Sequence, residues 1–336
     1  MYIAHGNLQR HEACEIIMRS GSFAYRYLPY WAKLPDNLGK HEITDVACDS
    51  SDRVYVLTRC PEMPVMIFDQ EGNYLHSIGR GVFPGRPHGI FINSRDELYC
   101  TDDTAHVAVH MSRDGEVLRT FGTPKVPSDT GCDREAFQKW KELNHIPDSE
   151  IYDGYFQLQK QLDSIVRTAG PFNGPTRMIE TDDGELYCSD GYGNAAIHHF
   201  SANGEYQNTF GAPGRKAGEL RLPHGLIQDQ KNRIWVADRE NNRLQIFSRD
   251  GEVLGVVDNL YRPTELCTDG TYIYLSDSDA GFCVFDQEAH LVAQFGFYLS
   301  PFCFHGLGIN KRGDLYAATL GKNKYSNLVK LQRITD

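Results

Sequence analysis

The chain has 336 residues, 40% of them hydrophobic, and carries a formal net charge of −11. That charge argues against a nucleic-acid surface, which needs a basic stripe, and the lack of an apolar run of about 20 residues excludes a transmembrane helix. One large closed domain fits this length and composition, and the expected partner is a small-molecule substrate, with neither nucleic acid nor membrane.

The first residues, Met1-Tyr2-Ile3-Ala4-His5-Gly6, show no basic region followed by an apolar core, so no secretory signal is expected. The segment Phe23-Ala24-Tyr25-Arg26-Tyr27-Leu28 alternates and reads as a strand over about 22–29. From residue 42 onward the chain repeats. Each unit opens with a short phrase, continues through a polar turn, and runs into an apolar strand such as Val54-Tyr55-Val56-Leu57, Leu98-Tyr99-Cys100 or Ile234-Trp235-Val236. A third strand follows, then Asp114-Gly115, Asn203-Gly204 or Asp250-Gly251, which is strong hairpin punctuation. Several units end in aromatic-Gly, as at Phe121-Gly122, Phe210-Gly211 and Phe295-Gly296.

Four short strands at a period of about forty residues describe a β-propeller blade. Six blades are expected, over 42–79, 87–122, 174–211, 221–258, 262–296 and 303–335. The last shows three clear strands, and the strand at 22–29 is expected to complete it and close the ring, which removes exposed edges.

Two insertions interrupt the ring. The larger, 123–173, holds the helix-forming stretch Asp133–Lys141 and a helix start at Pro147-Asp148-Ser149. An amphipathic stripe at Ile151, Tyr155, Leu158, Leu162 and Ile165 follows, stopped by Ala169-Gly170-Pro171. It is expected to form a helical hairpin that lids the channel mouth; packing on the propeller side is the alternative. The shorter insertion, 212–219, reads as a Gly-rich rim loop.

Nine cysteines are scattered without a CxxC. Their odd number suits reduced thiols and a cytoplasmic location. Cys100 and Cys188 hold equivalent strand positions, where a small buried hydrophobe suffices.

The opening phrases alternate. Pro87-His88-Gly89, Pro223-His224-Gly225 and Phe304-His305-Gly306 stand between Ile43-Thr44-Asp45, Pro175-Thr176-Arg177 and Pro263-Thr264-Glu265. In a closed six-bladed ring the three histidines lie about 120° apart around the channel. A catalytic zinc site keeps three protein ligands and one open position, so His88, His224 and His305 are the candidate metal ligands. At the end of the second strand, Arg59, Tyr192 and Arg239 break the repeat consensus, whereas Asp102, Asp190, Asp238 and Asp277 recur and read as turn caps. Nearby positive charge would favour a phenolate at Tyr192, and paired guanidiniums would hold a carboxylate. Arg177 and Glu265 take the third place of the channel phrase and are second-rank pore-lining candidates for substrate binding.

The blades resemble NHL repeats. Across roughly 40–335 the chain looks like the peptidyl-α-hydroxyglycine α-amidating lyase family, most closely at Ser189-Asp190-Gly191-Tyr192 and at Leu222-Pro223-His224-Gly225-Leu226 with Val236-Ala237-Asp238-Arg239-Glu240-Asn241. The resemblance implies a six-bladed propeller with one zinc held by His88, His224 and His305. It also implies a catalytic Tyr192 and active-site arginines Arg59 and Arg239.

Some family positions differ. The family's Asp after the third histidine, which helps hold a structural calcium, is Gly306 here, which speaks against calcium. The family's cysteines fall on Gly193 and Ile246, so its disulfides are gone.

The function expected is a zinc-dependent lyase cleaving the C–N bond of a small α-hydroxyamide to an amide and a glyoxylate-type aldehyde. Tyr192 would be the general base, and Arg59 and Arg239 would fix a carboxylate or polarise the leaving carbonyl. A zinc hydrolase of a small amide or ester and a non-enzymatic NHL-repeat interaction module are the alternatives.

Overall fold

Six antiparallel sheets follow one another along the chain, each built outward from the strand that opens the repeat. The computed structural model describes residues 16–147, 149–150, 154–278, 281–296, 303–320 and 328–335. The innermost strands are Ile43–Cys48, Pro87–Ile92, Pro175–Glu180, Pro223–Gln228, Pro263–Thr268 and Cys303–Ile309. Every one breaks register against its second strand beside the channel phrase, for example between Pro87 and Ile90 and between Pro223 and Leu226. These bulges re-aim the Thr and His side chains.

The molecule is a six-bladed β-propeller, and its core is shared between blades. One cluster packs Tyr55, Leu57, Val65 and Ile67 of blade one on Ile90, Cys100, Val107 and Val109 of blade two. Another packs Phe282 and Phe295 of blade five on Phe304, Leu307 and Val329 of blade six. The ring closes through Phe23–Leu28, which pairs antiparallel with Leu328–Arg333, and Ile17–Ser20 adds a fifth strand outside it. Tyr25 is fully buried there and stacks on Phe295, with ring centroids 4.9 Å apart. That contact ties the start of the described chain to blade five.

The recurrent aspartates hold the loops between blades. Asp102 accepts from the backbone N–H groups of Gly85, Arg86 and Ala105. Asp190 accepts from Asn173 N–H, Asp238 from Arg221 N–H and Asp277 from Tyr261 N–H. Each carboxylate thus satisfies loop donors just ahead of an inner strand, and so fixes where the next channel phrase begins.

The insertion between blades two and three contains helices α1, Ala136–Leu143, and α2, Gly154–Asp163. α1 starts later than the sequence suggests, because the Asp133 carboxylate accepts from Glu135 N–H and pairs with Lys139 ahead of the first turn. α2 ends before Ile165. The Ser164 hydroxyl bonds back to Gln161 O, and Val166 and Arg167 donate to Thr130 O instead of continuing the helix. Leu162 and Ile165 are buried, but Tyr155 is 47% exposed; its ring lies under the Arg262 guanidinium at 4.6 Å rather than in a core. Ile151 and Asp148 lie outside the described residues.

α2 sits on the mouth that carries Tyr192 and Arg239. Gln161 donates to Tyr192 O, Gln159 donates to Glu240, and Arg221 donates to Gln159 and Asp163. Among the described residues no helix is long and apolar enough to cross a membrane. Cys48, Cys60, Cys100, Cys132, Cys188, Cys267 and Cys283 are free thiols. Burial pushes those of Cys100 and Cys188 upward, as suits packing residues. Cys14 lies outside the described residues.

Candidate metal centre

The three channel histidines meet. His88, His224 and His305 are buried, and their ring centroids lie 4.7–4.8 Å apart. Each Nδ1 faces the backbone carbonyl of the threonine that opens the next blade. His88 Nδ1 reaches Thr176 O at 2.8 Å, His224 Nδ1 reaches Thr264 O at 3.0 Å, and His305 Nδ1 reaches Thr44 O at 2.8 Å. A carbonyl only accepts, so Nδ1–H donates in all three and Nε2 keeps its lone pair. The alternation of Thr and His in the sequence is therefore a chain of contacts around the ring.

The Nε2 atoms of His224 and His305 face each other at 3.2 Å. Two lone pairs at that distance repel unless a cation stands between them. A tetrahedral zinc ion with Zn–N bonds of about 2.0–2.1 Å separates its ligand atoms by roughly 3.4 Å. All three candidate ligand atoms lie within 4.8 Å of one another. Burial, followed by neighbouring charges that include Arg239, holds all three imidazoles well below their ordinary pKa. The donor set is neutral, convergent and oriented by outer hydrogen bonds, which fits a transition metal.

Tyr192 joins the triad: its hydroxyl lies 3.2 Å from His88 Nε2. The Arg86 guanidinium lies 5.3 Å from the centroid of the same ring and is fixed by Asp103, to which it donates from Nε and Nη2. Arg239 opens a short 3₁₀ turn, Arg239–Asn241. Its charge lowers the basicity of all three histidines, and that of Arg59 lowers His88 and His305. Arg59 is ion-paired with Glu42, and its Nε is buried with no hydrogen-bond partner among the described residues. All six first-rank sequence candidates therefore cluster at one mouth.

Arg177 and Glu265 lie elsewhere. Arg177 is 5% exposed at its side chain and pairs with Asp45 at 2.7 Å and Glu265 at 3.2 Å. These are the third residues of the three threonine phrases, closed into an ion cluster inside the channel. The histidine phrases carry glycine at that place because the cluster and neighbouring backbone fill the space. A Cβ on Gly225 would lie 2.3 Å from Glu265 Oε1, one on Gly306 2.5 Å from Asp45 Oδ1, and one on Gly89 2.2 Å from Thr176 O. Gly89→Ala is therefore expected to destabilise the fold by about 1–3 kcal/mol and to displace the carbonyl that orients His88. Urea unfolding and metal content would both register it.

Burial pushes the Asp45 carboxyl up to about 6 and that of Glu265 up to about 8, with the Arg177 guanidinium opposing it in both. Arg177→Met leaves two buried carboxylates without a cation and should cost about 3–5 kcal/mol when they are charged. Their folded pKa values are raised above the unfolded ones, so the stability they contribute is present at low pH and lost as pH rises toward about 8. The variant's deficit against wild type should therefore be larger near pH 8 than near pH 5 in urea unfolding.

Arg86, Asp45 and Gln161 were not picked out from the sequence. Asp45 was findable, since it holds the same phrase position as Arg177 and Glu265. Arg86 and Gln161 carry no motif.

The NHL repeat family matches residues 220–247, which run from the blade four channel phrase through its third strand. The chain is a six-bladed β-propeller, and its fourth blade carries the match to the NHL repeat. NHL repeat-containing protein 3 of Mus musculus is 26% identical over 228 residues, 64% of this chain and 55% of that protein. Peptidyl-glycine alpha-amidating monooxygenase of Mus musculus is 36% identical over 199 residues, 56% of this chain and 16% of that protein. The probable peptidyl-alpha-hydroxyglycine alpha-amidating lyase of Caenorhabditis elegans is 25% identical over 189 residues, 55% of this chain and 43% of that protein. This propeller thus spans little more than half, or less, of the relatives it matches. Among solved structures, a gluconolactonase from Xanthomonas campestris superposes with a TM-score of 0.58 at 13% identity, covering 94% of this chain and 92% of that one. At that identity the likeness speaks for the fold alone.

Proposed function

We propose that the propeller is a metal-dependent lyase that cleaves the C–N bond of a small α-hydroxyamide, releasing an amide and a glyoxylate-type aldehyde. The observation that carries this reading is the Tyr192 hydroxyl 3.2 Å from His88 Nε2, at the edge of three converged imidazole lone pairs. Kinship with the amidating proteins of mouse and nematode supports the reaction class. Zinc bound by His88, His224 and His305 would supply Lewis acidity toward the substrate hydroxyl.

The protein's own groups do the rest. Tyr192, once ionised, accepts the hydroxyl proton, and the electron pair of that O–H bond closes the new carbonyl. The C–N bond breaks with its electron pair going to nitrogen, and the amide nitrogen takes the proton that Tyr192 received, which restores the phenolate. The guanidiniums of Arg59 and Arg239 hold the substrate carboxylate, and the buried Nε–H of Arg59 has no hydrogen-bond partner among the described residues. α2 is anchored at this mouth by Gln159, which donates to Glu240, and Gln161, which donates to Tyr192 O. The free cysteines fit a cytoplasmic location.

Aldehyde release from a panel of small α-hydroxyamides tests the reading, and its absence across the panel by metal-loaded protein contradicts it. A non-enzymatic interaction module is the second reading, left open by the likeness to NHL repeat-containing protein 3, whose name states no activity. Such a module has no need of bound metal.

A further inference from the structure

The helical insertion and blade two enclose an open cleft of 590 Å³, lined by Arg86, Arg134, Phe137, Leu158, Gln161 and Tyr192 among others. Tyr192 joins it to the triad, since its hydroxyl reaches His88. Two guanidiniums therefore border one cleft beside the candidate reaction centre. Arg86 spends Nε and Nη2 on Asp103, and its Nη1 makes no hydrogen bond among the described residues. Arg134 donates from Nη2 to Asn173 Oδ1 at 2.9 Å and pairs with no carboxylate among the described residues.

The cleft's own acids are accounted for. Asp103 is taken by Arg86, and the Glu135 side chain is 80% exposed, 3.9 Å from Lys139. An anion in the cleft would gain charge-assisted hydrogen bonds from the donors that Arg86 and Arg134 leave unused. Phe137 and Leu158 offer an apolar wall for methylene groups.

We propose that this cleft binds a carboxylate at the far end of the substrate's acyl chain, with Arg134 as the residue that reads it and Arg86 as the second donor. The proposal rests on the lyase reading for which end of the substrate reacts. The substrate class is then an N-acyl-α-hydroxyglycine whose acyl group is dicarboxylic. One carboxylate lies at Arg59 and Arg239, the other at Arg86 and Arg134.

Two unreactive probes of matched length, N-succinylglycine and N-butanoylglycine, test it by calorimetric titration of the intact metal-loaded protein. Wild type should favour N-succinylglycine by about tenfold or more, the scale of a hydrogen bond to a charged group. Arg134→Gln should reduce that preference to about twofold or less while keeping its affinity for N-butanoylglycine, and Arg134→Lys should retain part of it. Arg134 is exposed on the insertion, so the substitution leaves the blades intact. Equal binding of the two probes by wild type, binding of neither, or a preference that survives Arg134→Gln overturns the proposal.

Glyoxylate release from N-butanoyl-α-hydroxyglycine decides the lyase reading separately. Release without an Arg134-dependent preference overturns the cleft assignment alone. Preference without release overturns the lyase alone.

Discussion

Tyr192→Phe is expected to lower turnover of a small α-hydroxyamide by about 10²–10⁴-fold, the usual worth of a positioned base, with metal content and stability unchanged. The substitution removes one oxygen and keeps the ring, which packs by the buried Leu162, Ile165 and Leu222 and beneath the Arg86 guanidinium. What is lost is the hydroxyl 3.2 Å from His88 Nε2, the polar group placed to take the substrate's proton beside the triad. Arg239→Ala should behave differently. It removes a buried cation close to all three histidines and should raise KM, because the carboxylate it would hold is bound in both ground and transition state, and lower kcat to the extent that it also polarises the leaving carbonyl. A Tyr192→Phe protein with near-native turnover would show that another group accepts the proton.

Much of this was readable from the chain because the repeat is geometric. Thr and His alternate in sequence, and in the structure each histidine Nδ1–H meets the backbone carbonyl of the next threonine, while the Thr176 and Thr264 hydroxyls donate to the carbonyls just before His224 and His305. The odd residues at the second-strand ends, Arg59, Tyr192 and Arg239, stood out against recurrent aspartates that prove to clasp loops.

The channel cluster was less readable. Arg177 and Asp45 are 132 residues apart, and nothing local says that the guanidinium is held by two carboxylates rather than offered to a ligand. The pairing becomes visible only when three blades bring their third phrase residues to one axis. Helix ends in the insertion were misplaced for a related reason. Thr130 and Ser164 capture backbone groups that a helical pattern assigns to the next turn. Arg86 was invisible because its role depends on the ring it covers, not on any spacing.

The histidine triad carries the largest structural claim. Replacing His88, His224 or His305 by Ala removes one of three neutral ligands and leaves an open ligand position, so metal affinity should fall by orders of magnitude. The blades should persist, since their cores lie between sheets and not in the channel. Loss of the ligand should lower turnover more completely than loss of Tyr192, because on the proposed reading the metal would hold the substrate hydroxyl that Tyr192 deprotonates.

Elemental analysis of the purified protein, wild type beside the three single His→Ala variants with circular dichroism as the fold control, tests this most directly. About one transition-metal ion per wild-type chain is expected, with a marked loss in each variant of unchanged fold. A metal-free wild type that takes up none on zinc addition, or full occupancy retained in all three variants, would contradict it.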